Sequence, residues 1–155
     1  MSKLSVVLPA YNEELMVGKT CLAEVLTEAK IPYELVVVND GSIDRTWEEI
    51  QKAGERDANV TGVLFSRNFG KEAAIFAGLA QACGDVVAVM DCDLQHPPEC
   101  LPEIVRKFEE GCGVISMVRT KNKSAGLIKN ITSAGFYWVI NTLSDVKFEP
   151  NASDF

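Results

Sequence analysis

Five short runs of strand-forming residues, at 4–8 (LSVVL), 34–38 (ELVVV), 60–65, 86–90 and 113–118, alternate with stretches of helical pattern. Strands that alternate with helices are joined by crossovers, which implies an α/β fold with a mostly parallel sheet flanked by helices. Helices are expected over 12–29, with Asn12 as the cap and Leu15, Leu22, Val25 and Leu26 facing inward, and over 45–56 behind an Asp44 cap. Three more are expected over 72–82, 99–110 and 127–143. In such sheets ligands sit beyond the carboxyl ends of the strands. The chain places polar groups there repeatedly: Pro9, Tyr11, Asn12 and Glu13, then Asn39 and Asp40, then Arg67, Asn68 and Lys71, then Asp91, Asp93 and Gln95.

The fourth of these strand ends carries the most specific chemistry. Residues 86–90 read as a strand buried on both faces, and it stops at Asp91-Cys92-Asp93. Side chains two apart on an extended chain leave it on the same side, so the two carboxylates lie close together. Like charges so placed repel each other unless a cation sits beside them, and oxygen donors suit magnesium or manganese. Pro97-Pro98-Glu99 then opens a helix. Tyr11 suits either a nucleotide base or the core, and Asp40 either an N–H of a base or a structural role.

At 155 residues the chain is expected to be one domain, 1–155. Its net charge of −7 argues against a protein that binds nucleic acid by neutralising phosphates. The same charge means that a phosphorylated ligand would need local cations. Five cysteines, at 21, 83, 92, 100 and 112, are odd in number and follow no zinc spacing, so they read as reduced core thiols of a cytosolic protein, with Cys92 a small spacer. No apolar run reaches the ~18 residues of a membrane span, and no secretory signal is evident. Neither G-x-x-x-x-G-K-[ST] nor G-x-G-x-x-G occurs, which argues against a P-loop kinase and a dinucleotide dehydrogenase. A metal held by carboxylates without a glycine cradle fits a different task, gripping a diphosphate as a leaving group.

The ordered segments VVLPAYNEE, VVNDGSIDRT, SRNFGKEAAIFAGLAQACGD and MDCDLQHPPE resemble family-2 glycosyltransferases of the GT-A fold. The likeness is to the branch that moves a sugar from a nucleotide donor to a polyprenyl phosphate in cell-envelope chemistry, as in dolichol-phosphate mannose synthases and bactoprenol glucosyltransferases. The resemblance implies a nucleotide pocket lined by Pro9, Tyr11, Glu13 and Asp40, with Arg67 and Lys71 on the donor side. It implies a magnesium or manganese site at Asp91 and Asp93 with Gln95 beside them, an acceptor phosphate held by Arg119, Lys129 and Ser133, and an orienting or acid/base role for Asp154. It also implies membrane-associated segments after Phe155, and work at the cytoplasmic face of a membrane. Two positions depart from the pattern: Asn39 and His96 each stand where relatives often carry aspartate. A catalytically silent nucleotide-binding or interaction domain and a nucleotidyltransferase are the alternatives.

Overall fold

The computed structural model describes residues 2–17, 22–92 and 97–116. The chain divides into two units at Val114, the first being the compact unit Met1–Val114. In the first, four strands, β1 (Leu4–Ala10), β2 (Tyr33–Asn39), β3 (Val60–Leu64) and β4 (Val86–Val89), form a parallel sheet in the order β3-β2-β1-β4. Leu4 lies opposite Tyr33 on one side and Val86 on the other, and Leu35 lies opposite Val60. The connecting helices are α1 (Glu14–Val17), α2 (Leu22–Glu28), α3 (Thr46–Arg56), α4 (Lys71–Gln81) and α5 (Leu101–Glu109), the last entered through a 3-10 turn at Pro98–Cys100.

Alternation along β1 sends Leu4, Val6, Leu8 and Ala10 to one face and Ser5, Val7 and Pro9 to the other. All but Pro9 are buried, as expected of a central strand covered on both sides. α4 covers the Val7 face, where Val7, Val36, Val38 and Ala74 form a cluster joined by Val63, Phe65, Ala77 and Val89. The helix comes this close because residue 78 is glycine: a Cβ there would stand 2.3 Å from Val7 Cγ1 and 3.3 Å from Val38 Cγ2. α3 lies on the opposite face with Ile50 buried, and Gly62 of β3 makes room for Ile50 and Trp47 in the same way.

Several expectations need correction. Asn12 does not cap a helix. Its φ of 56° is left-handed, and the turn beginning at Glu13 forms without it, Met16 and Val17 both donating to the Glu13 carbonyl. Leu15 faces solvent, because Val17 takes the buried position of that short turn. β4 is not buried on both faces: Val87 is 41% exposed, since among the described residues β4 ends the sheet on that side and α4 lies over β1 and β2. The strand expected over 113–118 is not formed across its described part, 113–116, where Val114 is exposed and joins no ladder. Of the described cysteines, Cys92 is a core thiol, but Cys83 and Cys112 follow the solvent-facing ends of α4 and α5 and are exposed. Among the described residues no helix is long and apolar enough to cross a membrane.

Candidate active site

The strand order decides where a ligand can enter. From β1 the chain proceeds outward through β2 to β3, then returns to lay β4 against the other side of β1. The loops leaving β1 and β4 therefore part at their carboxyl ends, and a crevice opens at this switch point. A cavity of about 250 Å³ lies there, lined by Pro9, Ala10, Tyr11, Glu13, Asp40, Asn68, Gly70, Lys71 and Asp91.

The wall contributed by β1 is fixed by hydrogen bonds between loops. The amides of Asn12 and Glu13 donate to the hydroxyls of Ser42 and Thr46, at 2.9 and 2.8 Å, and the Ile43 amide donates to Asn12 Oδ1 at 3.0 Å. Asp44 is not the cap expected of it: α3 begins at Thr46 with Arg45 in the cap position and no side-chain cap bond, and Asp44, one residue earlier, accepts from the Thr46 amide at 3.0 Å and from the Thr46 hydroxyl. Burial alone would raise its carboxyl pKa; the bonds from Thr46 and from the Glu14 amide outweigh that and hold it below the usual range. This network leaves Tyr11 on the cavity wall at 47% exposure, so of its two readings core packing is excluded. Asn39 is buried and accepts from the Ser42 amide at 2.9 Å, so it shapes the same turn instead of facing the cavity.

Asp40 has a structural role at the cavity wall. It is 3% exposed, and its two oxygens accept from the main-chain amides of Phe69 at 2.7 Å and Gly70 at 3.0 Å. A buried carboxylate is tolerated when charge-assisted hydrogen bonds replace its water. Here those bonds draw the loop before α4 against the end of β2. Gly41 makes the approach feasible: its φ is 64°, and a Cβ would fall 2.2 Å from the Arg67 carbonyl carbon. Arg67 is not among the cavity-lining residues; its guanidinium stacks 4.5 Å above the Phe69 ring, which meets Phe65 edge-on at 5.5 Å. Asn68 lines the cavity, as expected of the polar groups at the strand ends, and so does Gly70, for which the sequence suggested no role. The available signal was a glycine placed directly before a helix, where its φ of 99° suits no other residue.

At the end of β4, Asp91 faces the cavity and Lys71 comes to it from the first turn of α4. The ammonium is 2.8 Å from one carboxylate oxygen and 3.0 Å from the other. Both side chains remain partly open to solvent. Among the described residues the cavity lining thus carries three carboxylates, Glu13, Asp40 and Asp91, against one ammonium. Oxygen-only donors with surplus negative charge fit a hard divalent cation. Among the described residues no group of three or more His, Cys, Asp or Glu side chains converges for a metal. Asp93 and Gln95, expected beside Asp91, lie outside the described residues, as do His96, Arg119, Lys129, Ser133 and Asp154.

Known proteins resemble this chain over nearly its whole length. The family described as glycosyl transferase family 2 matches residues 5–152. An uncharacterised glycosyltransferase, YkcC of Bacillus subtilis, is 42% identical over 97% of this chain and 47% of its own. A prophage bactoprenol glucosyl transferase homologue of Escherichia coli is 36% identical over 99% of this chain and 51% of its own. The chain spans about half the length of these relatives. Among solved structures, a mannosyltransferase of Pyrobaculum calidifontis in complex with GDP-Man and Mn2+ superposes with a TM-score of 0.63 at 25% identity, over 78% of this chain and 36% of that one. Glucosyl-3-phosphoglycerate synthase of Mycobacterium tuberculosis also gives 0.63, at 26% identity, over 90% of this chain and 53% of its own. The fold is the expected GT-A type, a parallel sheet flanked by helices. The chain belongs to glycosyl transferase family 2.

Proposed function

We propose that this chain carries the donor-binding part of a glycosyltransferase that moves a sugar from a nucleoside diphosphate to a polyprenyl phosphate, with inversion at the anomeric carbon. One observation carries the reading: the crevice at the β1/β4 switch point brings Tyr11, Lys71 and Asp91 into one cavity whose lining has a surplus of negative charge. The bactoprenol glucosyl transferase relatives, similar over 99% of this chain, support the acceptor class, and the mannosyltransferase complex with GDP-Man and Mn2+ supports the donor class.

In this reading Tyr11 packs against the base. Pro9 and Glu13 shape the rim, and Asp40 holds the Asn68–Gly70 segment where the donor enters. A magnesium or manganese ion, held by Asp91 with Asp93 and Gln95, would offset the charge of the departing diphosphate when bound. Lys71 supplies a second positive charge on the donor side. Arg119, Lys129 and Ser133 orient the acceptor phosphate, which is largely dianionic at neutral pH because its second pKa is ~6 and so needs placement more than a strong base. Asp154 takes the orienting role. The reaction belongs at the cytoplasmic face of a membrane, where a soluble donor meets a lipid acceptor.

Calorimetric titration with UDP and with GDP, with and without manganese, tests the assignment. Asp91→Ala is expected to reduce metal-dependent nucleotide affinity at least about tenfold, as loss of a charge-paired ligand group does. Equal affinity in wild type and variant rejects the site.

A further inference from the structure

We infer that Lys71 is a built-in counter-cation for Asp91, holding the carboxylate while no metal is bound and passing its charge to the incoming diphosphate when a divalent cation takes its place. The inference rests on the proposed donor site and adds to it an order of events. Two distances carry it. The Lys71 ammonium lies 2.8 and 3.0 Å from the two oxygens of Asp91, so it engages both positions through which a carboxylate holds a cation. A metal ion cannot use those oxygens fully while the ammonium keeps them.

The placement of Lys71 makes an exchange feasible. It is the first residue of α4, directly after Gly70, and its side chain is 48% exposed, so the flexible stem can swing without disturbing the core. Its backbone is held separately, because Asp40 fixes the amides of Phe69 and Gly70 just before it. The base of the side chain is therefore anchored while its end is free to move. Lys71 also lines the cavity, so an ammonium released from Asp91 remains among the groups a diphosphate would meet.

The consequence is a thermodynamic coupling. A metal arriving alone has to displace the ammonium and leaves it without its partner. A metal arriving with a diphosphate gives the ammonium a new anionic partner. Metal and nucleotide therefore favour each other's binding, reciprocally. An exposed ion pair is weak, so its removal is expected to change metal affinity only about two- to fivefold.

Manganese binding to the full chain, followed by the paramagnetic resonance signal of the free ion, separates the possibilities. Lys71→Met is expected to bind manganese alone about two- to fivefold more tightly than wild type, and to show a smaller gain in manganese affinity when UDP or GDP is added. Lys71→Gln should behave in the same way, which removes any dependence on one substituent. Unchanged or weaker manganese binding in both variants overturns the exchange. Asp91→Asn tests the underlying site by itself: manganese binding equal to wild type there rejects the donor-site reading, whatever the lysine variants do.

Discussion

Two acids sit at opposite ends of β2, and each secures one end of α4. At the carboxyl end Asp40 accepts from the amides of Phe69 and Gly70, which lead into the helix. At the amino end Glu34 accepts from the Cys83 amide, which follows the helix, at 2.5 Å, from the Ser5 hydroxyl at 2.5 Å, and from the Lys3 ammonium at 2.7 Å. Ser5 is itself fully buried and accepts from the Gly84 amide at 2.8 Å. The two arrangements differ in how their charge is met. Around Glu34 the chain supplies its own cation and hydroxyl, and the site is closed. Around Asp40 the lining of the cavity has more carboxylates than ammonium groups. The same device, an acid clamping main-chain amides, closes on a cation of the chain's own at one end and opens onto the cavity at the other.

That contrast can be broken by substitution. The largest effect is expected from Asp40→Ala, which leaves the Phe69 and Gly70 amides without their carboxylate partner and frees the loop that carries Asn68, Gly70 and Lys71. Urea denaturation should show a loss of about 2–4 kcal/mol, and nucleotide binding should be lost with it. A variant that loses stability but keeps wild-type nucleotide affinity would separate the clamp from the cavity. Next comes Gly78→Ala, which tests the seat of the helix between its two clamps. The added methyl meets Val7 at 2.3 Å, and the expected cost is about 1–3 kcal/mol. Here nucleotide affinity should change less than stability.

The smallest effect should appear as pH dependence at the closed end. Burial alone would raise the Glu34 carboxyl, but the bonds from Lys3, Ser5 and Cys83 bring its pKa down from 4.5 to about 2. The folded state therefore holds fewer protons there than the unfolded state. The contribution to stability is fully present above about 4.5 and is lost as pH falls through about 2. Wild type should be more stable than Glu34→Gln at neutral pH, and the difference should close across that window. A constant difference between pH 6 and pH 2 would mean that the carboxylate charge is not what secures this end.

Much of the fold was readable because it is written in local patterns. The runs at 34–38 and 60–65 became β2 and β3 with shifts of a residue or so, since β-branched residues between polar breaks specify extended chain without distant partners. α4 was readable from small and apolar residues spaced to cover a sheet. Where a distant group intervened, the local reading failed. Asn12 has the composition of a helix cap, but the Ile43 amide takes its side chain. Val87 has the composition of a buried strand residue, but its burial depends on a neighbour that composition does not name.

The candidate site divides along the same line. By itself the sequence determined that polar groups would collect at the carboxyl ends of parallel strands, and that Asp91 would stand among them, because strand ends are set by local residue type. Only the tertiary structure decided that β4 lies beside β1, that Asp40 accepts from the main-chain amides before α4, and that Lys71 holds Asp91 from 20 residues away. Those outcomes depend on strand order and on which buried charge is nearest to which donor. Both are long-range properties, settled when the sheet and helices pack together and absent from any short stretch of sequence.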